Sequence, residues 1–277
     1  MGIPGTGVRI LGLGGGLRET SYSLAALREA LAAAERAGAE TRLLALHDLD
    51  LPFFRPDYGS PADYGPEAAR QIGRLIEAAR WADGMIWSSP AYHGALSGAV
   101  KNALDFIQFL GKDEPSFLYG KAVGVIGAGA GTIGAVNVVN QLAEIGHALR
   151  AQLVSLLVPV PGAYKIYDGE RFTDPQISQR LEMLGKETVA LATLLAGRRL
   201  EGRIPVGNGL RPVAAAPNGR SQPARSVEPM GAVSIKGRGP ADRRSPLVRG
   251  STDSAARARG STAPDAACAR SSCRRRG

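Results

Sequence analysis

Cysteine is nearly absent from this chain. There are 2 in 277 residues, Cys268 and Cys273, both near the carboxyl end with four residues between them. That spacing makes neither a disulfide framework nor a zinc site, and the three histidines, His47, His93 and His147, lie far from it in the sequence. No apolar run approaches the roughly 18 residues a membrane-spanning helix requires. No basic region followed by an apolar stretch and a cleavage site opens the chain, so a cytoplasmic protein without a membrane segment is expected. Met1-Gly2-Ile3-Pro4-Gly5-Thr6 fits only the loose myristoylation pattern and reads as an ordinary lead into a first strand. Aromatic residues are missing from 198–277, which hold no Phe, Trp or Tyr and only 10 Leu, Ile or Val, against 10 Gly, 8 Pro and 9 Ser. That segment carries 17 of the 34 basic and 5 of the 25 acidic residues, a net +12, which leaves 17 basic and 20 acidic residues, a net −3, for 1–197. Such a tail cannot bury enough apolar surface to offset its ordering entropy, so it is expected to be disordered. The expected organisation is one domain over 1–197 and a basic tail over 198–277. Scattered charges with no aromatic for base stacking make nucleic-acid binding by the tail the weaker reading.

Within 1–197, strand-like and helix-like segments alternate. Val8–Leu13 is a short apolar run ending in glycines, as a buried strand does. Leu24, Leu27 and Leu31 fall on one helical face between Tyr22 and Ala37, and Gly38 ends that helix. Thr41–Leu46 reads as a second strand. His47–Gly65 is long and irregular, with three prolines and the aromatics Phe53, Phe54, Tyr58 and Tyr64, and a loop of that length is usually functional. Pro66 opens a helix carrying Ile72, Leu75, Ile76 and Ala79. The scheme then repeats: strand Gly84–Ser88, a helix from about Ser97, strand Ala122–Ile126, a helix over Thr132–Leu149, strand Gln152–Val158, and a last helix ending near Gly197. Five buried strands, each followed by a helix, predict an α/β fold: a doubly wound parallel sheet with helices on both faces. Ligands then bind beyond the carboxyl ends of the strands.

Three loops at those ends are unlike spacers. Gly14-Gly15-Gly16-Leu17-Arg18-Glu19-Thr20-Ser21-Tyr22-Ser23 joins glycines, hydroxyls and an arginine to a helix start, a constellation suited to a terminal phosphate. No Gly-Lys-Ser/Thr follows, so it is not a Walker loop. Ser89-Pro90-Ala91-Tyr92-His93-Gly94 offers backbone amides that could border a flat polar ring, with Tyr92 and His93 beside it; Lys101 and Asp105 read first as an i, i+4 helix pair. Gly127-Ala128-Gly129-Ala130-Gly131 leads into Gly134, so Gly129-x-Gly131-x-x-Gly134 fits the dinucleotide fingerprint. The next strand, however, ends Leu157-Val158-Pro159-Val160 without the acid that would hold a ribose, which argues against a nicotinamide-binding Rossmann domain. No acid–base pair is evident, as suits chemistry carried by a cofactor.

Leu13–Ser23, Ser89–Asp105 (SPAYHGALSGAVKNALD) and Gly127–Gly131 together resemble the NADPH-dependent FMN reductase family, over about residues 8–196. The resemblance implies a flavodoxin-like fold with strand order 2-1-3-4-5, FMN as cofactor and NAD(P)H as cosubstrate. It implies hydride transfer from NAD(P)H to FMN and onward to a small-molecule acceptor: a quinone, an azo compound, a metal oxyanion or released flavin. By the same resemblance Gly16, Leu17, Arg18, Ser21 and Ser23 hold the FMN phosphate. Pro90, Ala91, Tyr92, His93 and Gly94 run along the flavin ring edge, and Gly127, Gly129 and Gly131 lie near its pyrimidine end. A homodimer or homotetramer is implied, with the aromatic-rich 47–65 stretch at its border. Three positions depart from the family pattern: Gly16 where Ser is frequent, Ser23 where Asn is common, and Ala91 where Glu is common. They leave the flavin either resident or exchanged as a substrate. A flavodoxin-type electron carrier is the alternative; the core charge of −3 and Arg18 in the phosphate loop suit it poorly.

Overall fold

A computed structural model describes residues 7–18 and 20–200. The expectations for 198–277 and for Met1–Thr6 therefore fall almost entirely outside the described residues.

Strand β1 (Arg9–Gly14) leads into helix α1 (Tyr22–Arg36), then β2 (Glu40–Ala45). The 47–65 stretch holds two short 3-10 turns, Leu46–Asp48 and Pro61–Tyr64, before α2 (Pro66–Trp81). β3 (Gly84–Tyr92) and a two-residue β4 (Ala95–Leu96) precede α3 (Gly98–Asp105), which tightens into a 3-10 helix over Phe106–Lys112. β5 (Ala122–Gly129), α4 (Thr132–Ala148), β6 (Gln152–Pro161), a one-turn α5 (Ala163–Ile166) and α6 (Pro175–Leu200) complete the order. The five long strands are parallel and lie β2-β1-β3-β5-β6, the predicted 2-1-3-4-5; β4 is an addition, antiparallel to β3. The last helix runs three residues past Gly197, so the predicted domain boundary falls inside α6.

Each central strand is buried on both faces, which is why it reads in sequence as an unbroken apolar run. In β1, Ile10 faces α1 and α6, whereas Leu11 and Leu13 face the layer of α2, α3 and α4. β3 does the same with Ile86 against Met85 and Trp87, all fully buried. The leucines picked out by period in α1 (Leu24, Leu27, Leu31) and the Ile72–Ile76 face of α2 are buried against these two layers. Because β2 lies to one side of β1 and β3 to the other, the chain reverses direction between them. Their carboxyl ends open a crevice there.

The 47–65 stretch is pinned down by one side chain. Asn102, on α3, accepts from the Phe54 N–H at 2.8 Å and donates Nδ2 to the Pro52 carbonyl at 2.8 Å. Phe54 then packs edge-on against Phe106 and Phe109, and Tyr64 joins the same aromatic cluster.

Candidate functional site

At the end of β1 the chain must pass directly under β3. Gly14 has φ 137°, and a Cβ there would sit 2.0 Å from the Ser88 carbonyl oxygen, so only glycine fits. The Gly15 N–H donates to that carbonyl at 2.9 Å, which fixes the start of the turn. Ser21 takes the N-cap position of α1 with extended backbone, yet its side chain makes no capping bond. Its Oγ instead accepts from the Gly16 N–H at 3.0 Å and lies 2.7 Å from Ser23 Oγ. The first intrahelical bond is Ala25 N–H to the Ser21 carbonyl, and the first turn contains no acid. The leading amides of α1 therefore face outward without a side-chain acceptor, at the positive end of the helix dipole. Ser88 Oγ donates to the Ser23 carbonyl at 2.8 Å and locks this helix start onto β3.

The second loop is a strand and hairpin. β3 continues through Pro90, Ala91 and Tyr92, which pair with β4 in the register Ala91–Leu96 and Tyr92–Ala95. His93 (φ 51°) and Gly94 (φ 81°) form the two-residue turn, the left-handed pair that matches strand twist. α4 holds the hairpin: Asn137 Nδ2 donates to the Gly94 carbonyl at 3.2 Å and Gln141 Oε1 accepts from the Leu96 N–H at 2.9 Å. His93 and Gly94 thus shape the turn and stand outside the cavity lining.

The third loop also begins inside a strand. Gly127 and Gly129 are β5 residues. A Cβ on Gly127 would meet the Ala135 carbonyl at 2.5 Å, so this glycine serves the close packing of α4 on the sheet. Gly131 is the exposed N-cap of α4.

These elements enclose a cavity of about 150 Å³ lined by Gly16, Arg18 and Thr20 to Ser23 from the first loop, Pro90 to Tyr92 from β3, Ala128 to Ala130 from β5, and Ala163 and Tyr164 beyond β6. Of the residues predicted from sequence, Gly16, Arg18, Ser21, Ser23, Pro90, Ala91, Tyr92 and Gly129 meet here. Leu17, His93, Gly94, Gly127 and Gly131 do not. Leu17, 67 % exposed, lines a separate apolar recess with Leu46, Leu49, Leu51, Phe53 and Asn102. Tyr22, Ala128, Ala130, Ala163 and Tyr164 were not anticipated. The first three adjoin motif residues, whereas the post-β6 pair follows a lone Gly162, without the cluster of hydroxyls and arginine that marks the first loop. Arg18 is the sole ionic side chain on the lining and has no carboxylate partner among the described residues.

The donor set fits FMN. Unpaired helix amides, two hydroxyls and an arginine suit a phosphate, and an apolar slot edged by two strand ends suits a planar ring.

Sheet order and site define a mononucleotide-binding protein of flavodoxin-like architecture. Residues 8–165 match the family model described as NADPH-dependent FMN reductase, and the chain belongs to that family. It is an NAD(P)H-dependent oxidoreductase with FMN as cofactor, and the electron-carrier alternative falls with that assignment. The chain is 30 % identical over 191 residues to the NADPH-dependent FMN reductase ArsH of Acidithiobacillus ferrooxidans, covering 68 % of this chain and 75 % of the relative. It is 29 % identical over 128 residues to the NADPH azoreductase of Bacillus sp. OY1-2, covering 45 % and 65 %. Among solved structures, RosB with bound 8-demethyl-8-formylriboflavin 5′-phosphate aligns at TM-score 0.57 and 19 % identity, over 80 % of this chain and 98 % of RosB, a likeness of fold. Among the described residues no helix is long and apolar enough to cross a membrane, and no cluster of three metal-ligating side chains occurs.

Proposed function

We propose that this chain catalyses two-electron reduction of a small-molecule acceptor by NAD(P)H at FMN held in the β1–β3 crevice. The observation that carries the reading is the end of α1. Its capping serine is turned back onto Gly16, leaving the leading amides open beside Ser23 and Arg18, which has no ion-pair partner among the described residues. Arg18, Ser21, Ser23 and these amides hold the phosphate; Pro90, Ala91, Tyr92 and Gly129 border the ring. When bound, FMN supplies a ring that accepts hydride from NAD(P)H and passes the electrons on. The chain's own part is positioning, since among the described residues no carboxylate, histidine or lysine lines the cavity. With a quinone as acceptor, hydride from NAD(P)H and one proton from water appear as hydroquinone and NAD(P)+. An azo compound, the acceptor class in the name of the Bacillus relative, and a metal oxyanion or released flavin belong to the same reading.

The test is NADPH oxidation by purified protein with FMN and menadione present. Bleaching of the flavin absorbance and menadione-dependent turnover are expected; no bleaching removes the reductase reading. The visible spectrum before and after desalting separates a resident flavin from an exchanging one. A homodimer or homotetramer is part of the proposal. Phe53, 87 % exposed, and Leu17 flank the apolar recess beside the site and suit burial against a second copy. Sedimentation as a monomer at micromolar concentration would refute that part.

A further inference from the structure

Beyond β6 the chain builds an arm from Gly162 to Thr173 that leans on the cavity. Gly162, in the left-handed region (φ 62°), turns the chain into the single turn of α5, and the Lys165 N–H closes that turn on the Gly162 carbonyl at 2.7 Å. The arm returns through a bridge between Tyr167 and Phe172. The Asp168 carboxylate accepts the Glu170 and Arg171 N–H groups at 2.9 Å each, and the Thr173 N–H donates to the Ile166 carbonyl at 2.7 Å. Phe172, 3 % exposed, anchors the arm in the core of α1 and α6. Tyr167 packs on Phe172 with ring centroids 5.2 Å apart and meets Tyr22 of α1 edge-on at 5.9 Å. The arm is thus tied at both ends before any ligand arrives.

Its first turn carries Ala163 and Tyr164 into the cavity wall. Tyr164 is 53 % exposed, and among the described residues its ring has no aromatic neighbour and its hydroxyl no hydrogen-bond partner; only the Lys165 ammonium lies near, 5.5 Å from the ring centroid. A large ring left half bare on a rigid arm loses little conformational freedom on meeting a second ring, and that pre-organisation converts stacking into affinity. The family match ends at residue 165, so most of the arm lies beyond it.

The geometry points to Tyr164 as a stacking residue for the cofactor, covering part of the flavin ring. The assignment rests on the reading that FMN occupies this cavity. Once the phosphate is fixed at Gly16–Ser23, the ring of the same molecule is directed along Pro90–Tyr92 and Ala128–Ala130, which share the cavity lining with Tyr164.

The experiment titrates FMN, in the absence of NADPH, into the wild-type protein and into Tyr164→Phe and Tyr164→Leu, following flavin fluorescence. Tyr164→Leu is expected to raise the Kd by about 10-fold, the size of one lost stacking contact. Tyr164→Phe is expected to keep the wild-type Kd while its bound FMN fluoresces more brightly, because a phenol quenches an excited flavin by electron donation and a benzene ring does not. A merely structural role would not produce that split. Circular dichroism of both variants checks the fold. A Leu variant that binds like wild type overturns the inference, as does a Phe variant as weak as Leu, which would assign the hydroxyl instead of the ring. An unchanged FMN Kd with a raised KM for NADPH assigns the ring to the reductant and overturns it equally. A wild-type protein that binds no FMN removes the parent reading as well; wild-type binding with indifferent variants removes this inference alone.

Discussion

At Ser21 the choice of hydrogen-bond partner decides what the end of α1 does. A serine at a helix start ordinarily satisfies one of the leading amides. Here the hydroxyl accepts from Gly16 and touches Ser23, so the amides stay open while the loop is held shut. Ser21→Ala should loosen the loop and raise the FMN Kd by about 5-fold, one neutral hydrogen bond's worth of roughly 1 kcal/mol. Arg18→Gln should cost more, about 10- to 100-fold, because a charge-assisted bond to phosphate is lost. Riboflavin, which lacks the phosphate, should bind both variants and the wild type alike; a parallel loss for riboflavin would move Arg18 away from the phosphate. Asn102 is a different case, a side chain whose carbonyl and amide both serve the loop backbone at Pro52 and Phe54. Asn102→Leu should lower stability by about 2 kcal/mol through two unpaired backbone groups, a fall in Tm of about 4–8 °C by thermal unfolding.

Elements are brought together here by close backbone approach. Gly185 of α6 lies against α1, where a Cβ would come within 2.3 Å of the Ala30 carbonyl oxygen and 2.9 Å of Ala33 Cβ. The pair of helices covering one face of the sheet is therefore spaced by a missing side chain. Gly185→Ala should force them apart and destabilise by about 1–3 kcal/mol, despite the better helix propensity of alanine. A neutral or raised Tm would show that the helices can part at no cost. The β3–β4 hairpin depends on its turn in a similar way, and Asn137 and Gln141 transmit the position of α4 to it. The placement of Tyr92 at the cavity mouth is thus set by α4, a helix that enters the chain only after α3 and β5.

Over the whole molecule, the resolved carboxylate shifts all point the same way. Asp57, Glu67 and Glu182 are held below their ordinary values mainly by hydrogen bonds from Arg55, Arg70 and Lys186, and Asp168 mainly by the Arg171 backbone N–H. A carboxylate whose folded pKa is depressed adds stability above its unfolded value, near 3.8 for Asp and 4.5 for Glu, and loses it as pH falls through the folded one. Tm should therefore change little between about pH 6 and 8 and decline below about pH 4, with high salt weakening the effect because these pairs are exposed. A decline centred near pH 6.5 would instead point to histidine. Deleting residues 201–277, which lie outside the described residues, is expected to leave Tm and FMN-dependent NADPH oxidation unchanged, because so apolar-poor a segment has little to add to a core; a loss of either would refute that expectation.

The α/β alternation and the faces of α1 and α2 were legible in the sequence because burial on one or both sides leaves a one-dimensional period, and Gly38 and Pro66 mark where it breaks; the strand order has no such period and was implied only by the family resemblance. The loop proposed for the phosphate stands out in the sequence too, since an anion needs glycine, hydroxyl and arginine within a few residues of a helix start. What the sequence could not separate was glycine kept for a ligand from glycine kept for packing. Gly127 and Gly129 are two residues apart in one strand, and a Cβ on either would crowd Ala135 of α4, at 2.5 and 3.0 Å, yet only Gly129 also lines the cavity. Nor could it place Tyr164, which reaches the crevice from beyond the last strand. That meeting depends on parallel strands ending side by side, a proximity between residues more than a hundred positions apart that no local pattern encodes.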